Sequence, residues 1–215
     1  MRAKQSLVGA ACSKKIKIRS GYAKTGMRSG YVPLAPISSL SGPLPVTNVP
    51  SAMTISIRQA KPDDAQAVSS ILTEAARWLE DSGMAMWRDG ELTASSVDVD
   101  VGVGLFHLAE ADLEAAGTIK FQLEDNLFWP DIRQEESAFI HRLAVRRKFA
   151  GGGISTAMLQ WAVERARSLE RRYLRLDCEA SRPRVRAIYE GFGFRHHSDR
   201  QVGPYFVSRY EYALA

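Results

Sequence analysis

Three consecutive glycines, Gly151-Gly152-Gly153, separate an apolar run ending at Val145 from a helical pattern that begins at Ile154. A chain that bends this way must set a strand end against a helix start. Glycines at such a junction strip side chains from several backbone N–H groups at the positive end of the helix dipole, and the result is a seat for an anion, most often a phosphate. Ala150, Gly151, Gly152, Gly153, Ile154, Ser155 and Thr156 are therefore the candidate cradle, and a cofactor carrying a pyrophosphate is the expected ligand. Two common phosphate motifs do not fit. A dinucleotide fingerprint needs glycines at its first, third and sixth positions after the first strand, and a triphosphate loop needs Gly-Lys-Ser/Thr; neither occurs here.

The surrounding pattern alternates strands and helices. Thr54–Arg58 alternates polar and apolar residues as a half-buried strand does. Lys61-Pro-Asp-Asp64 then starts a helix with the face Ala67, Ile71, Ala75 and Trp78-Leu79, closed by Gly83. After a loop or short helix, the spacing predicts strands over 103–110, 117–123 and 138–145. A helix follows from Ile154 to Leu169, a strand over 173–178, a short helix over 184–190 and a last strand over 206–212. Three strands in succession before the main helix argue for an α+β (mixed α/β) domain, with a central, mostly antiparallel mixed sheet flanked by helices. His196-His197 reads as a solvated loop pair, and Arg171-Arg172 as the cap of the preceding helix.

Charge divides the chain. Residues 1–50 hold eight Lys or Arg and no acid, and without them the remaining 21 Lys and Arg face 24 acids, a balance of −3. The overall +5 thus belongs to the tail and does not argue for nucleic-acid binding by the domain. Five prolines, with serines and glycines between, predict a disordered tail over 1–52 and a single domain over 53–215. The tail fits a transit peptide, an anion-seeking arm, or translated upstream sequence with Met53 as the true start, and the last is favoured because Met53 opens directly onto a strand. Cys12 and Cys178 provide no disulfide framework and no metal-ligand spacing, so a reducing, cytoplasmic setting is expected, with no metal. No apolar run is long enough to span a membrane.

Two blocks carry a resemblance. Val145–Met158 resembles the acetyl-coenzyme A loop of the GNAT family of N-acetyltransferases: a strand ending in Val, then Arg/Gln-x-x-Gly-x-Gly/Ala, then a helix. Leu176–Phe194 resembles the family's second block, Asn-x-x-Ala-x-x-x-Tyr-Glu-x-x-Gly-Phe after a strand. Both blocks occur in the family's order, and the likeness runs from about Ile55 to Leu214. Three positions depart from it: Ala150 replaces the first Arg/Gln, Ser155 the last Gly/Ala, and Arg182 the Asn. Arg146, Arg147 and Lys148 are near enough to supply charge in place of the missing side chain.

The resemblance implies a direct acyl transfer from acetyl-CoA to the amine of a small molecule or a protein. The strands around Leu143 and Asp177 would splay, and the pantetheine arm would bond to the backbone of Leu143, Ala144 and Val145. The pyrophosphate would rest on Gly151 to Thr156, with Arg182 as a further partner. An N–H near Leu143 would stabilise the oxyanion, and Tyr189 would protonate the leaving thiolate. Trp87 would line the acceptor pocket. Glu124, Glu136, His141 and Glu179 are the possible bases. A catalytically weak acyl-CoA-binding sensor of the same fold is the alternative, motivated by Ala150 and Arg182. The final strand offers an edge for a homodimer.

Overall fold

The computed structural model describes residues 53–84, 87 and 90–214. The predicted tail over 1–52 lies outside the described residues. Strand β1 (Ile55–Gln59) leads through a short 3-10 turn (Pro62–Asp64) into α1 (Ala65–Asp81). Asp64 anchors this corner: its carboxylate accepts the Lys61 N–H at 2.7 Å and pairs with the Arg58 guanidinium at 2.6 Å. Helix α2 (Ala94–Gly102) starts at Thr93, whose hydroxyl accepts the Ser96 N–H. An antiparallel meander follows: β2 (Phe106–Ala111), β3 (Glu114–Gln122) and β4 (Ser137–Val145). Helix α3 (Ile154–Ser168), strand β5 (Tyr173–Glu179), helix α4 (Pro183–Phe192) and the hairpin β6 (Arg195–Val202) and β7 (Tyr205–Ala213) complete the domain.

The seven strands form one sheet in the order β1-β2-β3-β4-β5-β7-β6. Only β4 and β5 run parallel. This is the mixed, mostly antiparallel sheet that the strand order predicts. Helices cover both faces. On one, α3 packs Ile154, Met158 and Ala162 against Ile119, Phe121, Ile140 and Leu176. On the other, α1 and α2 bring Val68, Ile71, Leu72, Val97 and Val101 onto Phe106 and Leu108. Helix α3 presses so close to β3 that a Cβ on Gly117 would stand 2.8 Å from Met158 Cε and 3.0 Å from the Ala144 carbonyl oxygen.

Three local expectations are corrected. His196-His197 belongs to β6 and is not a loop pair. Arg171 and Arg172 do not cap α3; the Arg171 guanidinium bonds the Glu135 carbonyl, and Arg172 pairs with Glu136 at 3.4 Å. The helix end is satisfied instead by the backbone, with Arg171 N–H on the Ala166 carbonyl at 3.1 Å. Strand β2 begins at Phe106, three residues later than expected, because Val103 is the C-cap of α2 and Gly104 turns the chain with φ of +77°.

Candidate active site

The site begins where β4 and β5 part. Their parallel pairing covers only Ser137–Ile140 against Tyr173–Leu176. Beyond Ile140 the β4 register against β3 slips by one at Arg142–Leu143, and Arg142 takes a left-handed φ of +50°. Such a bulge bends the strand and re-aims its backbone. The two strands diverge as a fork, and a cleft of about 920 Å³ runs through it.

Alternation along the strands gives this fork two chemically different sides. Ile119 and Phe121, Ile140, and Leu174 and Leu176 point into the α3/α4 core, with Cys178 and Tyr189 packed against it. The intervening residues Lys120 and Gln122, His141, and Asp177 and Glu179 therefore face the α1/α2 side. All of these but the core residues line the cleft.

On the α3 side, Ala150, Gly151, Gly153, Ile154, Ser155 and Thr156 line the cleft with Leu143, Ala144 and Val145. Gly151 and Gly153 both adopt φ of +81°, which favours glycine, and the space above Gly151 is open. Gly153 is the N-cap residue of α3 and offers no side chain to the first-turn N–H groups, which helix geometry leaves without intrahelical partners. Gly152 is turned away, against Met53 and the Phe149 carbonyl. Of the three neighbouring cations only Arg147 lines the cleft, its guanidinium 4.0 Å from the centre of the Trp78 ring. Arg146 is committed to Glu74 at 2.7 Å and Lys148 to Glu114, so neither replaces the side chain missing at Ala150. Arg182 is buried at the N-cap of α4, outside the cleft lining. Tyr189, from α4, lines the cleft beside Cys178; burial, then the nearby Cys178 and Asp177, push its hydroxyl well above the ordinary phenol range. Burial and Asp177 likewise raise the Cys178 thiol to about 12, so it is no nucleophile at neutral pH.

On the other side, His141 stands between two acids. Its Nε2 is 3.2 Å from Asp125 Oδ2 and its Nδ1 3.4 Å from Asp177 Oδ1. Burial alone would lower its pKa, but the two carboxylates outweigh it and lift it to about 9. Burial raises Asp125 in turn, yet His141 and the N–H groups of Leu127 and Phe128 bring it below the usual carboxylate range. Among the described residues these three place ligand atoms within 4.8 Å of one another, close enough to share a metal ion. Of the four possible bases, His141 and Glu179 line the cleft; Glu124 is exposed outside it, and Glu136 pairs with Arg172. Trp87 lines the cleft, as do Glu91, Asp125 and Asp177, which sequence reasoning missed. Their only sequence signal is parity for Asp177, two residues before Glu179 on the same strand face.

Residues 70–194 match the Acetyltransferase (GNAT) family. The chain belongs to the GNAT family. It is an acyltransferase by that membership. An uncharacterised N-acetyltransferase, YesJ of Bacillus subtilis (strain 168), is 32% identical over 139 residues, which cover 61% of this chain and 77% of YesJ. A GNAT acetyltransferase from Listeria monocytogenes 4b F2365 superposes with a TM-score of 0.63 at 22% identity, over 75% of this chain and 97% of that one. The PaiA N-acetyltransferase of Thermoplasma acidophilum, solved with coenzyme A, superposes with a TM-score of 0.58 at 17% identity, over 74% and 99% of the two chains. At these identities the two structural likenesses are likenesses of the GNAT fold.

Proposed function

We propose that the protein transfers an acetyl group from acetyl-CoA directly to an amine. The observation that carries this reading is the fork, because it opens onto a glycine-capped helix start on one side and a polar, acid-lined chamber on the other. The pyrophosphate would lie on the N–H groups of Gly151 and Gly153 to Thr156, with Arg147 adding charge. The amide-bearing arm would run along Leu143 to Val145 as an added strand. The thioester would then lie in the fork.

The amine nitrogen attacks the thioester carbonyl carbon, and the Leu143 N–H steadies the oxyanion. The C–S bond then breaks, and the thiolate takes the Tyr189 phenol proton. The Tyr189 hydroxyl is protonated at neutral pH; its raised pKa makes it a weaker acid than a free phenol, so it serves the leaving thiolate first as a hydrogen-bond donor. The amine's own proton needs an acceptor. His141 already carries a proton at neutral pH, so the role falls to Glu179, directly or through water.

Release of free thiol from acetyl-CoA against a panel of amines tests the reading. Tyr189→Phe should lower kcat by roughly ten- to a thousandfold with little change in coenzyme A affinity. An unchanged rate removes Tyr189 from the mechanism. Tight coenzyme A binding with no thiol released by any amine would favour the acyl-CoA-binding sensor instead.

A further inference from the structure

The acceptor side of the cleft is built around His141 by β3, β4, β5, β7, the loop after β3 and the segment before α2. Four carboxylates line it: Glu91, Asp125, Asp177 and Glu179. Its cations are fewer. Lys120 is cancelled by Asp100 at 2.7 Å. His141 is shared between Asp125 and Asp177, which leaves that buried trio one negative charge in excess. Arg142 donates to the Glu91 carbonyl at 2.9 Å and remains as a single positive charge. The described residues therefore leave the chamber negative. Asp125, only 5% exposed, sets its Oδ2 against the His141 ring, so the one cation of this trio is already in use.

A negative chamber works against the chemistry proposed above if the acceptor has only one amine. The field holds that amine as its ammonium form, which cannot attack. An acceptor with a second cation removes the conflict: the remote charge neutralises the chamber, and the reacting amine can then give up its proton. The walls suit such a group, because Trp87, Phe128 and Tyr205 line the same side and aromatic faces attract cations. Tyr205 of β7 donates to the Glu91 carboxylate at 3.1 Å and Arg142 of β4 holds the Glu91 carbonyl, so Glu91 is tied to two strands at the cleft. A concave cleft of about 920 Å³ is of the size that takes a small molecule.

We propose that the acceptor is a small diamine or polyamine, whose non-reacting ammonium is taken up by Glu91, Asp177 and the aromatic walls of this chamber. The proposal rests on the acetyl-transfer reading. Its test compares three acceptors of one chain length: cadaverine, pentylamine and aminovalerate. With the full chain and acetyl-CoA, kcat/KM for cadaverine should exceed that for pentylamine by about tenfold or more, as a charge-assisted contact would give. Aminovalerate should be the poorest. Added salt should compress the series, and Glu91→Gln should bring the cadaverine-to-pentylamine ratio towards one. Equal rates for cadaverine and pentylamine, or a preference for aminovalerate, overturn the inference while leaving acetyl transfer intact. If none of the three releases thiol, calorimetry on the coenzyme A complex decides: tighter binding of cadaverine than pentylamine upholds the inference, and equal binding overturns it.

Discussion

His107 and His141 sit on strands two apart in one sheet and are driven in opposite directions. His107 stacks on Trp161 at 4.2 Å, and burial lowers its pKa from 6.5 to about 4. It is neutral in the fold and must be charged in acid. A lowered folded pKa means the unfolded chain binds the proton more readily below 6.5, so this stability is complete above pH 6.5 and drains away as the pH falls towards 4. The size is at most about 3 kcal/mol. His107→Leu should therefore flatten the acid limb of a denaturation midpoint measured against pH; a limb of the same steepness would count against this. His141 has the opposite sign. Its folded pKa is raised to about 9, so its contribution is complete below 6.5 and is lost as the pH rises through about 9. His141→Gln should correspondingly flatten the alkaline limb in the same measurement.

Elements follow their sequence signals where burial is one-sided, and escape them where it is not. Strand β4 and helix α3 have continuous apolar faces, and the expected spans of both agree with the structure to within one residue at either end. Strand β6 was invisible because Arg195-His-His-Ser-Asp-Arg200 is a sheet edge with no buried face, so no alternation marks it. The sequence leaves a loop or a short helix open before β2, because the valines fall at every second position and mark no helical face; the structure places α2 there, with Val97 and Val101 buried and Val99 and Val103 exposed. The candidate site was legible where a backbone demand shows in the residue type, as at Gly151 and Gly153. It was not legible where the partners meet only in the fold, as at Asp125, His141 and Asp177. The bulge at Arg142 leaves no mark either, since nothing about an arginine announces a left-handed φ. Gly117 shows what the layer spacing demands. A methyl there collides with Met158 and with the Ala144 backbone. Gly117→Ala should cost about 1–3 kcal/mol in a denaturant titration. It should also weaken coenzyme A binding, because Ala144 borders the fork. A variant as stable as the parent would mean that α3 can lift away from β3 freely.

At the scale of the molecule, the loop from Leu123 to Glu136 couples the cleft to the far end of the sheet. Asp131 takes both arms of the Arg209 guanidinium at 2.6 and 3.0 Å, and the same arginine donates to the Phe128 carbonyl. Trp129 is fully buried, with Arg175 and Arg209 at 5.3 and 4.7 Å from its ring centre. Gln134 closes the loop on itself through the Asp125 N–H and the Trp129 carbonyl. Asp125 and Phe128 thus reach the cleft on a loop held by β7, although nearly eighty positions separate the loop from Arg209 in the chain.

The parting of β4 from β5 governs the order of events as well as their place. On the acetyl-transfer reading, donor and acceptor meet in the gap from its two sides, and neither must leave before the other arrives. The Cys178 thiol, protonated far above neutral pH, is not poised to hold the acetyl group in between. Double-reciprocal plots of initial rate should accordingly intersect for the two substrates, and parallel lines would mean that the acetyl group rests on the protein between two separate visits.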